Sequence, residues 1–204
     1  MMSNASYQVT TIDLLRHGKP EGGEIFRGAT DVDLSPEGFE QMRQAVIKLT
    51  PPDLLITSPL KRCADFAREL GQNYDKPVQQ ESLWRELSFG DWDGQSFQDI
   101  KAQYREQFDQ YWQDPIHHAP PNAEPMSQFS RRIQRAYEKL LLEHQGKHVL
   151  VVTHGGVIRA MIACILQSEL TSLMRYEVPY ACVSQIKVYH EGDQCFPQMV
   201  FHNR

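Results

Sequence analysis

The sequence predicts an α/β fold, a three-layer α/β/α sandwich whose mostly parallel central sheet carries helices on both faces. Three observations predict it. Short apolar runs alternate with amphipathic helical patterns along the chain, and that alternation favours a parallel sheet clothed by helices. The run Val149-Leu150-Val151-Val152 is apolar without interruption, as a strand buried on both faces must be. The 204 residues suffice for one such domain with a full core and are too few for two. No repeat, linker or low-complexity tract divides residues 1–204, so they are read as a single domain.

The first strand spans Val9 to Leu15. A polar, Gly-containing loop follows from Lys19 to Leu34. Ser35-Pro36-Glu37 starts a helix: the serine caps, the proline fits the first turn, and the acid meets the positive dipole end. That helix carries Phe39, Met42, Val46 and Leu49 on one face and stops before Pro51-Pro52. A short strand, Asp53–Thr57, leads to Ser58-Pro59, which opens a second helix ending near Gly71 by the same device. A third strand falls around Val78. Trp84 to Gly94 reads as a loop, and Ser96 caps a polar helix through Trp112. Four prolines make 114–125 a loop. Ser127 or Ser130 begins a long helix through Glu143, closed by Gly146. His148–Thr153 is the buried strand, and the helix Val157–Leu166 follows it. Two late strands, Val183–Tyr189 and Gln198–His202, flank a turn at Glu191-Gly192-Asp193.

Composition excludes several classes. A net charge of −5 argues against nucleic acid or an anionic membrane as partner, since both require a basic face. Met1 to Gln8 is polar and lacks the apolar core of a secretion signal, and no run approaches membrane-spanning length. The four cysteines, Cys63, Cys164, Cys182 and Cys195, are scattered without a Cys-x-x-Cys pair. Reduced thiols in a cytoplasmic protein, monomeric or homodimeric, are the expectation.

Three strand ends deliver the groups that matter. Leu15-Arg16-His17-Gly18 closes the first strand, Arg62 lies in the first turn after Thr57-Ser58-Pro59, and His154 follows the fourth strand. In open α/β sheets ligands bind outside the carboxyl ends of strands. Guanidinium grips phosphate, imidazole is a nucleophile near neutral pH, and helix N-termini add backbone donors. Two arginines and two histidines on one rim would therefore form a phosphate pocket. Expelling an alkoxide from a phosphomonoester also needs a proton donor. Glu86 is the candidate, with Asp91 and Asp93 competing. His17 must offer an uncharged nitrogen, so its other ring nitrogen should donate to a backbone carbonyl.

With those residues set out, the chain resembles the histidine phosphatase superfamily. The matching segments are Leu15-Arg16-His17-Gly18, Phe26-Arg27-Gly28-Ala29-Thr30-Asp31 with Leu34-Ser35-Pro36-Glu37-Gly38, Thr57-Ser58-Pro59-Leu60-Lys61-Arg62, Glu86-Leu87-Ser88-Phe89-Gly90-Asp91-Trp92-Asp93-Gly94 and Val152-Thr153-His154-Gly155-Gly156. They occur in the family's order. The resemblance implies a phosphoglycerate mutase-like fold and roles residue by residue. His17 would form a phosphohistidine; Arg16, Arg62, His154 and the amide of Gly155 would hold the phosphoryl oxygens. Glu86 would protonate the leaving group and then help activate water. Arg27 and Gly28 would lie at the pocket mouth and touch the rest of the substrate. No cofactor and no metal are implied.

The Pro- and Gly-containing loop followed by Arg27-Gly28-Ala29-Thr30-Asp31-Val32-Asp33-Leu34 looks most like the α-ribazole phosphatase subgroup of cobalamin assembly. Two departures bear on substrate identity. Lys19-Pro20-Glu21-Gly22-Gly23 lacks an asparagine that many members use on phosphate, and Pro121-Asn122-Ala123-Glu124-Pro125 replaces Pro-x-Gly-Glu-Ser. The expectation is a phosphatase acting on a small phosphomonoester, with α-ribazole-5′-phosphate the first substrate to try. A broad sugar-phosphate phosphatase and a phosphoglycerate mutase are the alternatives, and a non-catalytic phospholigand-binding protein is the alternative of another class. Outside these motifs, His117-His118 reads as solvated loop, Cys63 as a small core residue, and Arg131, Arg132 and Arg135 as a solvated or salt-bridged helix patch.

Overall fold

The structure, a computed structural model, describes residues 8–204, so residues 1–7 of the polar N-terminal stretch lie outside the described part. Six strands form one sheet: β1 (Gln8–Arg16), β2 (Leu54–Thr57), β3 (Val78–Gln80), β4 (His148–Thr153), β5 (Val183–Glu191) and β6 (Gln194–Phe201). Their order is β3-β2-β4-β1-β5-β6. The first four pair in parallel, β5 runs antiparallel to β1, and β6 runs antiparallel to β5. The sheet is thus mixed. Chain geometry accounts for the change of direction: the peptide after residue 166 climbs back to the rim, where the Ala181 amide reaches the His17 carbonyl at 3.2 Å. β5 can then only descend, and the tight turn at Gly192 (φ 58°) makes β6 its hairpin partner.

Alternation along the central strands divides the core. Ile12, Leu14, Val149 and Val151 face one layer, built on α5 (Met126–Glu143) and α6 (Gly155–Leu166). Leu15, Leu150 and Val152 face the other, built on α1 (Pro36–Val46) and α2 (Lys61–Tyr74). All seven are at most 1% exposed, each contributing about 2 kcal/mol of transfer energy. A third, smaller cluster joins Phe26, Trp92, Ile100 and Tyr111 outside the sheet. Among the described residues no helix is long and apolar enough to cross a membrane.

Several boundaries differ from the sequence reading. The Ser35 cap is formed, its side chain accepting from the Gly38 amide at 3.0 Å. Ser58 does not cap α2, which starts at Lys61: its hydroxyl lies 2.7 Å from His154 Nε2 and accepts from the Leu60 amide at 3.3 Å, short of the first helical residue. Gly71 does not end α2: a Cβ there would stand 2.3 Å from the Val78 side chain, so this glycine lets helix and β3 meet. The helix stops at Asp75, in the left-handed region at φ 51°. The expected single helix from Ser96 is two, α3 (Phe97–Gln103) and α4 (Arg105–Gln113), broken at Tyr104 (φ −131°, ψ 49°). The break lets both Ile100 and Tyr111 pack against Phe26 and Trp92, a tertiary demand that outweighs local propensity. α5 begins at Met126, ahead of both expected serines.

The loop after β1 lies against the start of α1 with no space between backbones. A Cβ on Gly18 would meet the Gly38 carbonyl oxygen at 2.1 Å. Gly18→Ala is therefore expected to cost about 2 kcal/mol or more, read as a lowered urea midpoint at unchanged slope.

Candidate active site

In-register parallel pairing sets the rim. Arg16 lies opposite Thr153, and Thr57 lies opposite Val152. The ladder continues past the strands: the His17 amide donates to the Thr153 carbonyl at 2.9 Å, and the Ser58 amide to the Val152 carbonyl at 3.0 Å. His17 and His154 are thereby brought to a ring separation of 5.3 Å, edge to face. Both are buried, His154 fully.

The His17 Nδ1 lies 2.7 Å from the Gly18 carbonyl oxygen. A carbonyl can only accept, so Nδ1 carries the proton and Nε2 keeps its lone pair. Burial, followed by the charges of Arg62 and Arg16, holds the His17 pKa well below its ordinary value. Burial and Arg62 do the same to His154, which favours its uncharged form in the free protein. His154 Nε2 stands 2.7 Å from the Ser58 hydroxyl.

Three guanidinium groups surround this pair. Arg62, fully buried, donates to the carbonyls of Thr30 at 2.8 Å, Gly28 at 2.9 Å and Arg27 at 3.3 Å. Arg27 donates to the carbonyls of Gly23 at 2.7 Å and Glu21 at 2.9 Å. Arg16 donates to the Val178 carbonyl and lies 4.2 Å from the centre of the Tyr180 ring. The Nε groups of all three are buried with no hydrogen-bond partner in the protein. Among the described residues none of the three pairs with a carboxylate. Cationic donors left buried and unpartnered near His17 are the chemistry an anion would satisfy. No group of three or more His, Cys, Asp or Glu side chains among the described residues could hold a metal ion.

Glu86 enters from the loop before α3. One carboxylate oxygen accepts from the Leu87 amide at 3.0 Å, the other from the Gly156 amide at 3.1 Å, in the first turn of α6. The fit is tight, because a Cβ on Gly156 would stand 2.4 Å from Oε1. Asp91 and Asp93 are engaged elsewhere. Asp93 accepts from the amides of Gly28 at 2.7 Å and Phe89 at 2.8 Å, latching two loops together. Asp91 is exposed and accepts from Asn122 at 3.0 Å.

The structure therefore gathers His17, Arg16, Arg62, His154, Gly155 and Glu86, with a Cβ on Gly155 only 3.2 Å from the Arg16 Nε. Arg27 stands at the same centre. Gly28 does not lie at the mouth: it is buried, its amide is taken by Asp93 and its carbonyl by Arg62, so it supports the wall from behind. Lys19 is paired with Glu37 at 2.7 Å on the surface. Cys63 is buried beneath His154, where desolvation pushes its thiol far up and leaves it inert.

Tyr180 was not singled out in the sequence. Its ring lies 5.7 Å from that of His17. The signal was topological: antiparallel pairing of Leu15 with Val183 puts the residues before β5 beside those after β1. The neighbouring Ala181 is left-handed at φ 56°, a local strain held in place by its bond to His17. Beside Glu86 a cavity of about 160 Å³ opens, lined by Phe89, Tyr111, Trp112, Leu173 and Met174, with Arg159 at its edge.

A model of the histidine phosphatase superfamily (branch 1) matches residues 12–196. The chain belongs to this superfamily. It is a phosphatase of that superfamily, a phosphoric monoester hydrolase. An adenosylcobalamin/alpha-ribazole phosphatase of Escherichia coli (strain K12) is 27% identical over 179 residues, covering 86% of this chain and 88% of the relative. A 2,3-bisphosphoglycerate-dependent phosphoglycerate mutase 2 of Gloeobacter violaceus is 29% identical over 196 residues, covering 92% and 89%. The crystal structure of the alpha-ribazole phosphatase from Shigella flexneri superposes with a TM-score of 0.82 at 26% identity, covering 95% of this chain and 96% of that one.

The two lowered histidine pKa values have a stability consequence. The unfolded chain takes up protons on both imidazoles as pH falls through about 6.5, while the folded chain does not. Their contribution is complete above that pH and declines as pH drops from 7 toward 5. The urea midpoint should fall over this window, and His17→Asn should shrink the fall; a flat profile would contradict the neutral pair.

Proposed function

We propose that this histidine phosphatase hydrolyses a small phosphomonoester through a phosphohistidine on His17. The observation that carries the reading is the oriented His17 ring, its Nδ1–H on the Gly18 carbonyl, among three guanidinium Nε groups without protein partners. The chemistry follows from the roles these groups can fill. Nε2 attacks phosphorus as the bond to the leaving oxygen breaks, and Glu86 in its acid form gives that oxygen its proton. Arg16, Arg62 and Arg27 meet the charge spread over the equatorial oxygens, and the Gly155 amide at the start of α6 adds a donor. Water then attacks the phosphohistidine, Glu86 takes a proton from it, and the nitrogen–phosphorus bond breaks. Bound phosphate also supplies the negative charge that opposes the depression of both histidines, so His154 can share a proton with an oxygen only once the substrate is in place.

The substrate we favour is α-ribazole-5′-phosphate. The relatives named alpha-ribazole phosphatase support it, as does the aromatic lining of the cavity beside Glu86, which suits a flat apolar base better than a small charged leaving group. The sequence departures at residues 19–23 and 121–125 bear on this choice and leave the phosphoryl chemistry in place.

Rapid quench with α-ribazole-5′-phosphate should trap acid-labile, base-stable phosphate on His17. His17→Ala should lower kcat/KM by about 10⁴-fold or more. Near-normal turnover by that variant ends the phosphohistidine reading. A panel with 3-phosphoglycerate and phosphoserine tests the substrate: a preference for either over the nucleotide, or phosphate moved within phosphoglycerate instead of released, replaces it.

A further inference from the structure

The Glu86 carboxylate is held by two amides, yet the backbone that carries it, residues 85–89, belongs to no helix or strand. Something else must fix it. Arg132, on α5, faces this segment and not solvent. Its Nη1 donates to the carbonyls of Leu83 at 2.7 Å and Arg85 at 2.8 Å, and its Nη2 to that of Glu86 at 3.3 Å. The remaining donors meet the Glu124 carboxylate side-on, Nε at 2.9 Å and Nη2 at 2.6 Å. A guanidinium has five N–H donors, and these are five bonds. The Phe129 ring lies 5.0 Å from the guanidinium carbon.

This is not a solvated ion pair of the kind that contributes little. The side chains of Arg132 and Glu124 are only 18% and 20% exposed, and the pair is bidentate. Glu124 is tethered in turn, its amide donating to the Ser88 carbonyl at 3.0 Å. The segment from 83 to 88 is thus gripped at four carbonyls, three by Arg132 on α5 and one by the amide of Glu124 just before that helix. Neighbouring Arg131 and Arg135 are exposed and make no contact with it among the hydrogen bonds of the described residues.

We propose that Arg132, locked by Glu124, is the positioning residue for Glu86, setting the proton donor at the distance and angle that leaving-group protonation needs. This rests on the acid role given to Glu86 above. Lysine cannot replace it, because three donors on a point charge cannot span three carbonyls and a carboxylate.

The test compares kcat/KM, which covers the steps through phosphoenzyme formation, for two probes: p-nitrophenyl phosphate, whose phenolate departs unaided, and β-glycerol phosphate, whose alkoxide does not. Arg132→Gln and Arg132→Lys should lower the alkyl ester by about 10²-fold and the aryl ester by less than about 10-fold, since displacement of a general acid by an ångström forfeits most of its effect. Glu124→Gln, which removes the charge and keeps the three carbonyl bonds, should give the same asymmetry at smaller size, and thermal melts of every variant report folding. In a Glu86→Gln background, Arg132→Gln should add no further asymmetry. If Glu86→Gln discriminates between the esters and Arg132→Gln lowers both equally, or if the two losses multiply, the clasp is overturned. If Glu86→Gln itself does not discriminate, the acid role of Glu86 falls and takes the clasp with it.

Discussion

The bond from the His17 amide to the Thr153 carbonyl, 2.9 Å long, extends the β1–β4 ladder one step beyond the strands. Most of the site depends on that register. It puts His17 beside His154, and since β2 flanks β4 on its other side, it brings the first turn of α2 with Arg62 to the same rim. A slip of one residue would send His17 to the opposite face of the sheet. Both faces of these strands are buried under separate helical layers, so the slip would also exchange two cores, and the packing of Ile12, Leu14 and Leu15 opposes it.

Electrostatics then works against the fold in a controlled way. Among the described residues three arginines without acidic partners lie near His17 with their Nε atoms buried, a costly arrangement if each were left to itself. The hydrogen bonds they do make within the protein go to backbone carbonyls, which carry partial negative charge but no net charge to neutralise the arginines. The guanidinium groups of Arg62 and Arg27 organise the loop 21–30 through their Nη donors and leave their buried Nε groups without a protein partner. Lysines could not divide their donors this way. Burial first, and the charge of these arginines second, hold the pKa values of both imidazoles well below their ordinary value, which favours the neutral form the proposed attack by His17 needs.

Much of this was legible in the sequence because the decisive residues sit at punctuation. Strand ends and proline-marked helix starts are readable, so Arg16, His17, Arg62 and His154 could be placed on one rim once the strands were taken as parallel neighbours. Less legible was anything set by contacts distant in sequence. Nothing local marks Tyr104 as a break, Gly71 as a packing notch in place of a stop, or Gly28 as a buried support. Tyr180 needs the antiparallel direction of β5, which is decided by how the segment after α6 returns to the rim. Arg132 sits in a run of basic residues whose fates differ only by which face of α5 each occupies.

Two groups of residues meet at Glu86, and they come from different parts of the architecture. The proposed phosphoryl floor consists of strand termini and first helical turns, where any alteration disturbs the central sheet. The walls of the adjoining cavity come largely from α4, the opening turns of α5 and residues 173–174, none of which contributes a strand to that sheet. Under the proposed function, exchanges at Tyr111, Trp112 or Met174 would retune which alcohol is released while leaving the phosphorus chemistry alone. On that reading, such a plan separates the choice of alcohol from the reaction itself.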